Sequence, residues 1–345
     1  MNYCRITLEP LNSQQESTLG YSKKGLVSLA GNHNISSHLP FTREQFVHEL
    51  PVKQKGMSIS GFQPKLQLVI NNGYFNVVES QGDFILKPSP DEFSQLAENE
   101  HATMQVMARL GFDVPPNGLL AFKTQSENDK PEYAFIIKRF DRDQQGNAIH
   151  QEQLDAAMNI SEKYGKVKDD GEGYVSYEQL ADFLVKNIND NVLAKQDIFR
   201  RIIYAYLLGN NDMHLRNFGL VHPKNGKSFL APVYDFVSVA PYPDYFYSDY
   251  LALPLLRQEE GGRILAPGFD SKYGEYTGSD FKLLGMSMAL SERLIDNILL
   301  KQLDKEKKIV EQTYLTSFMS LKDREAVLNC YRSRLSRLQY YITDE

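Results

Sequence analysis

The chain has 345 residues, 42% hydrophobic and 24% charged, with a formal net charge of −6. These are the proportions of an ordinary globular protein with ample material for a buried core, and the acidic balance argues against an autonomous nucleic-acid binder. No apolar run reaches membrane-spanning length, and the first residues lack the apolar core of a signal peptide.

The two cysteines, Cys4 and Cys330, sit at opposite ends without CxxC or His-rich company. They imply neither a disulfide framework nor a zinc site, and predict a reducing, cytoplasmic setting.

In chain order, the first 140 residues read as mostly strand. Asn2–Leu8 and Lys65–Ile70 alternate apolar and polar residues, and Asn71-Asn72-Gly73 marks a tight turn before a strand at Tyr74–Val78. Phe84–Lys87 reads as a short strand stopped by Pro88. Asp91–Leu110 has helical spacing, with Phe93, Leu96, Ala97, Met104, Met107 and Leu110 on one face and Gly111 closing it. Glu132–Phe140 reads as a further strand.

Beyond residue 150 the pattern turns helical. Ser176 with Gln179 is a capping-box signal, and Gln196–Leu208 is strongly apolar and runs into Gly209. Further helices are predicted near Ser279–Ala289, Ser291–Val310 and Leu321–Tyr341. The predicted fold class is α+β and bilobal: a strand-rich N-lobe over residues 1–140, a helical C-lobe over 141–345, and nucleotide in the cleft.

The chemistry concentrates in G-N-N-D-M-H-L-R-N at 209–217 and Y-D-F at 234–236. Asp212 stands five residues before Asn217, and Asp235 follows one short hairpin later. One carboxylate to take a proton, with a carboxamide oxygen and a second carboxylate for Mg²⁺, suits attack of a hydroxyl on a phosphate. The same D-x-x-x-x-N spacing followed by D-F is how protein kinases arrange catalytic base and metal ligands. His214 reads as an orienter of the base, a phosphate contact or a packed loop histidine.

Upstream, Lys87 ends a strand just before a helix, where it can place a point charge on ATP phosphates and be held by Glu100 or Glu98. The loop S-I-S-G-F-Q-P-K at 58–65 precedes a strand, where a phosphate-covering loop belongs. Its serines, the backbone near Gly61, and Lys65 can cradle phosphate oxygens. Phosphorylating Ser58 or Ser60 would bring about two negative charges beside that site and expel the loop or the nucleotide. Lys138 and Phe140 fall at the junction of the lobes, with Phe140 equally suited to core packing. Tyr242–Tyr250 reads as a structural aromatic cluster or a substrate dock.

With these motifs in order, the chain resembles the HipA family of bacterial serine/threonine kinase toxins. The matching pieces are S-I-S-G-F-Q-P-K, F-I-L-K-P, E-N-E at 98–100, I-K-R-F-D-R at 137–142, H-Q-E at 150–152, K-Y at 163–164, G-N-N-D-M-H-L-R-N-F and L-A-P-V-Y-D. The resemblance implies Asp212 as catalytic base and Asn217 and Asp235 as Mg²⁺ ligands. It implies Lys87, Ser60, Gly61, Gln63, Lys65, Lys138, Phe140, His214 and Tyr234 at ATP, with Glu100 and Gln151 in support. It also implies autophosphorylation on Ser58 or Ser60, an aminoacyl-tRNA synthetase as substrate, and restraint by a small HipB-like DNA-binding antitoxin.

Only 57 residues precede the phosphate loop, which is similar to the short HipT-type kinases of three-gene modules, where a separate HipS-like protein supplies the missing subdomain. That similarity implies tryptophanyl-tRNA synthetase as target, and the absence of Trp from the chain accords with it. Asn210-Asn211 replace the His-Arg that precedes the catalytic Asp of ordinary kinases, which favours control through the phosphate loop.

Overall fold

The computed structural model describes residues 2–48, 64–126, 128–143, 145–165, 174–188, 191–224, 226–246, 249–262 and 264–341. The chain forms two compact units, one of Met1–Ala148 with Gln312–Ser320, the other of Ile149–Glu311 with Leu321–Glu345.

The first unit opens with helices α1 (Gln14–Leu19), α2 (Lys23–Ala30) and α3 (Arg43–His48). Local signals set the first two. Ser13 and Ser22 accept hydrogen bonds from the Glu16 and Gly25 amides, and Gly20 and Gly31 end each helix in left-handed geometry. The strand expected at Asn2–Leu8 does not form. Tyr3 bridges Pro10, and the Leu8 amide turns back to the Cys4 carbonyl. Pro10 has no N–H to extend a ladder, so the alternating Cys4, Ile6 and Leu8 reach the core from a turn.

An antiparallel five-stranded sheet follows, from β1 (Leu66–Asn71), β2 (Tyr74–Val78), β3 (Phe84–Pro88), β4 (Asn117–Ala121) and β5 (Tyr133–Lys138), in spatial order β2-β1-β3-β5-β4. Helix α4 (Leu96–Arg109) lies between β3 and β4 in sequence and begins five residues later than the apolar spacing predicts. Residues 90–95 form a turn instead, with the Phe93 amide on the Pro90 carbonyl and Gln95 at φ +59°. The Ala97 amide is satisfied by Ser89 Oγ at 3.0 Å. Returning residues 312–320 pack here too: Tyr314 Oη and Thr103 Oγ1 are 2.9 Å apart.

His101 on α4 is fully buried, and its Nε2 donates to the Ile6 carbonyl at 3.0 Å. Burial pushes its pKa down to about 4, with Arg109 adding to the effect. A base held neutral in the fold stabilises fully above its unfolded value near 6.5, and that stability drains away as pH falls toward 4. This one group should cost the unit about 3 kcal/mol across that window. Urea unfolding at pH 7 and pH 4 checks this, with His101→Gln expected to shrink the difference by that amount.

The second unit is built on a small antiparallel sheet, β6 (His150–Gln153), β7 (Gly219–His222) and β8 (Phe229–Leu230), in that order. Around it run α5 (Leu154–Ala157), α6 (Tyr177–Asn187), α7 (Val192–Leu207), α8 (Pro243–Phe246), α9 (Gly278–Ser287), α10 (Glu292–Asp296), α11 (Leu303–Leu315, of which residues from Gln312 belong to the first unit) and α12 (Leu321–Leu338). Ser176 caps α6 as its sequence predicts, accepting from the Gln179 amide at 3.1 Å. The helix expected at Ser291–Val310 forms with one change, a π-helical segment at Asn297–Gln302 joining α10 to α11.

Helix α7 is the spine of this unit, buried from Ile198 to Leu207 apart from Arg200. Its Arg201 is 2% exposed, pairs with Asp197 and donates to the Ala231 carbonyl at 2.8 Å. From α12, Arg334 donates to the Tyr206 and Tyr250 carbonyls and lies over the rings of Tyr206, Phe246 and Tyr250. The Tyr242–Tyr250 segment thus contributes Phe246 and Tyr250 to a packed aromatic cluster. Among the described residues no helix is long and apolar enough to cross a membrane.

Candidate active site

In the second unit, α7 ends in a tight left-handed turn. Gly209 takes φ +68°, and a Cβ there would stand 2.9 Å from the Phe246 ring and 3.0 Å from Cys330 Sγ. The turn projects the 210–217 loop, which its asparagines then fix. Asn210, fully buried, accepts the Asp212 amide at 3.2 Å, and Asn211 donates to the Tyr245 carbonyl at 2.9 Å. A 3₁₀ turn at Leu215–Asn217 brings the chain back.

Asn217 is the joint of the loop. Its Nδ2 donates to the Asp212 carbonyl at 2.7 Å and, at 3.5 Å, reaches the Asp235 carbonyl. The amide nitrogen is therefore spent on holding two backbone positions, and Oδ1 is the end left for a cation. Asp235 sits at φ +50°, a left-handed conformation that costs energy outside glycine and is concentrated at functional sites. One carboxylate and one carboxamide oxygen are hard donors, a set that fits Mg²⁺ with room for waters and phosphates.

Asp212 is half exposed, and three side chains surround Oδ1. Tyr164 donates its hydroxyl at 3.0 Å, His214 Nε2 lies at 3.7 Å and Lys163 Nζ at 3.8 Å. The Tyr164 phenol is pushed up by burial and then by the Asp212 charge. Burial pushes His214 below the ordinary histidine value, outweighing Asp212, so the ring is neutral at pH 7. Its Nδ1 is buried without a hydrogen-bond partner, and the ring stands edge-on to Tyr164 at 5.4 Å.

Behind the loop, the Tyr234 hydroxyl donates to the Arg216 carbonyl at 2.9 Å and receives a hydrogen bond from Gln151. Gly219 lets these side chains close in, since a Cβ there would meet Gln151 Nε2 at 3.1 Å and Tyr234 Oη at 3.2 Å. Arg216 is fixed in turn by Asp155 at 2.6 Å.

In the first unit, Lys87 on β3 and Glu100 on α4 form a buried ion pair at 2.7 Å, their side chains 7% and 4% exposed. Glu100 is thus the carboxylate that takes Lys87. Phe135, opposite Lys87 on β5, sets its ring 5.7 Å from Nζ. Lys138 ends β5 with an exposed side chain, and its amide is already bonded to the Pro116 carbonyl. Phe140 is half-buried and Lys65 partly exposed ahead of β1. Ser58, Ser60, Gly61 and Gln63 lie outside the described residues.

The structure thus brings Asp212, His214, Asn217, Tyr234, Asp235 and Gln151 together in one unit, and Lys87 and Glu100 in the other. Sequence reasoning gave no role to Tyr164, Lys163 or the Arg216–Asp155 pair; the K-Y motif was the one signal for the first two. Tyr164→Phe is expected to lower kcat about tenfold, the worth of one hydrogen bond to a charged group. Steady-state kinetics check this, and an unchanged kcat would count against a role for the contact.

A family model for the HipA-like C-terminal domain matches residues 57–310. A putative kinase of Haemophilus influenzae is 54% identical over 338 residues, 98% of either chain. The serine/threonine-protein kinase toxin HipA of Shewanella oneidensis is 29% identical over 203 residues, 55% of this chain and 45% of that protein. Among solved structures, HipA from the Shewanella oneidensis complex of HipA, HipB and operator DNA superposes with a TM-score of 0.61 at 22% identity, covering 82% of this chain and 64% of that one. The chain therefore spans nearly all of the Haemophilus relative but less than two thirds of the Shewanella protein. Its α+β fold is that of HipA, and the chain belongs to the HipA-like family.

Proposed function

We propose that this protein is an ATP- and Mg²⁺-dependent protein serine/threonine kinase acting as the toxin of a toxin–antitoxin module. The observation that carries the reading is the single carboxamide of Asn217 tying the backbones of Asp212 and Asp235 together. That link supports a base and a metal-binding pair held as one rigid constellation.

In this reading Asn217 and Asp235 would hold Mg²⁺, whose charge would offset that of the phosphate oxygens. Asp212 accepts the proton of the substrate hydroxyl as the hydroxyl oxygen bonds to the γ-phosphorus. The bond from that phosphorus to the bridging oxygen breaks and ADP leaves, while Tyr164 orients the accepting carboxylate. Neutral His214 adds a hydrogen-bonding edge beside the base without a competing charge. Lys87, kept in place by Glu100, neutralises ATP phosphates, while Lys65, Lys138, Phe140 and Tyr234 line the nucleotide. Positioning and charge neutralisation supply most of the rate.

The kinase is of the short HipT type, its substrate an aminoacyl-tRNA synthetase with the tryptophanyl enzyme favoured, and its own Ser58 and Ser60 are autophosphorylated to switch it off. The HipB named in the Shewanella complex supports a DNA-binding antitoxin as partner, with a HipS-like protein completing the three-gene arrangement. Incubation with Mg-ATP and purified synthetases alongside a metabolite panel tests the substrate class. Phosphate on a synthetase, and on Ser58 or Ser60 by mass spectrometry, is expected. Transfer to a metabolite alone would make the protein a small-molecule phosphotransferase.

A further inference from the structure

The ribbon of β6 and β7 has two faces with different chemistry. Side chains alternate along a strand, so Gln151 points one way, toward Tyr234, while His150 and Glu152 point the other. The register sets His150 directly opposite His222. On that second face, ligand atoms of His150, Glu152 and His222 all lie within 4.8 Å of one another. The two imidazoles stack at 5.2 Å and 27°, and His222 Nε2 stands 3.6 Å from Glu152 Oε2.

Two details mark this as more than a polar patch. His222 Nδ1 is 2.7 Å from Ser228 Oγ, and when Nδ1 donates there, Nε2 turns its lone pair to the other two residues. A second polar group fixing the outer nitrogen of a histidine is the usual support of a metal ligand. Nε2 itself is buried without a hydrogen-bond partner, a cost that a bound cation would remove.

We infer that His150, Glu152 and His222 form a site for a zinc-type divalent cation, separate from the Asn217–Asp235 pair. Two imidazoles and one carboxylate are borderline ligands that suit Zn²⁺ and select against Mg²⁺, and water fills the open coordination position. Tetrahedral coordination brings such donors to about 3.3 Å from one another. His150 is exposed and Glu152 partly so, and rotation of these two side chains closes the remaining gap. The cation pins β6 to the end of β7 away from the 210–217 loop.

The test uses the full, untagged chain, stripped with chelator and dialysed against Zn²⁺ in millimolar Mg²⁺, with bound metal measured by mass spectrometry. The wild type is expected to take one Zn²⁺, with affinity falling about tenfold or more in each of His150→Ala, Glu152→Gln and His222→Ala. His33→Ala, at an exposed histidine of the first unit, and Asp235→Asn are expected to bind as the wild type does. If His222→Ala fails to fold, the two outward-facing variants decide the matter. No stoichiometric zinc, affinity unchanged in His150→Ala and Glu152→Gln, or zinc lost in Asp235→Asn would each overturn the assignment.

Discussion

Asp212→Asn is expected to cut phosphoryl transfer by at least about 10³-fold while leaving the protein folded. The substitution keeps the shape of the side chain and an oxygen to accept the Tyr164 hydroxyl. The backbone of residue 212 stays held from both sides, its amide by Asn210 and its carbonyl by Asn217. What disappears is the capacity to take a proton. Because the side chain is half exposed, stability should change by less than about 1 kcal/mol. Kinetics beside a thermal melt separate the two effects, and an unaltered turnover would remove Asp212 from the chemistry.

The second large effect concerns Lys87 and Glu100. Lys87→Met removes the cation paired with Glu100 at a site where both side chains are nearly inaccessible to water, so the first unit should lose about 3–5 kcal/mol of stability. Glu100→Leu removes the carboxylate paired with Lys87, with a similar penalty. The double variant, with neither charge left to desolvate, should recover most of the loss, since replacing a buried ion pair by apolar groups is often neutral or better. Activity should not recover with it if Lys87 meets ATP phosphates as proposed, because that charge is gone. A double variant that regained both stability and turnover would reduce Lys87 to a structural residue. Denaturant unfolding and ATP turnover on the three variants decide.

The contrast between these residues and Tyr164 shows what was legible. Asp212 and Asn217 lie five positions apart within one loop, so their spacing carries their geometry. Lys87 and Glu100 were readable because a strand followed by a helix has few ways to bring an ion pair together. Tyr164, 48 residues before Asp212, has no such local rule, and neither does Asp155, 61 residues before Arg216. His150, Glu152 and His222 meet through strand register alone, which sequence spacing does not encode.

The same distinction runs through the fold. The apolar runs at Gln196–Leu208 and Leu321–Tyr341 translated into α7, buried on nearly every side from Ile198 onward, and α12, which buries one continuous stripe. At Asn2–Leu8 the alternation was real but its backbone was not a strand, because Pro10 closed the segment on itself. The short helices α1 and α2 rest on Ser and Gly caps rather than long apolar periods, and their signals were overlooked. The return of Gln312–Ser320 to the first unit is a tertiary event that no local pattern announces.

The most direct test is transfer of labelled phosphate from Mg-[γ-labelled]ATP to protein serine by the intact chain, run beside Asp212→Asn and Asp235→Asn. Label is expected on serine with the wild type and on neither variant, each variant retaining the melting profile of the folded protein. Equal labelling by all three, or none by a wild type shown to bind Mg-ATP, would contradict a kinase built on Asp212, Asn217 and Asp235.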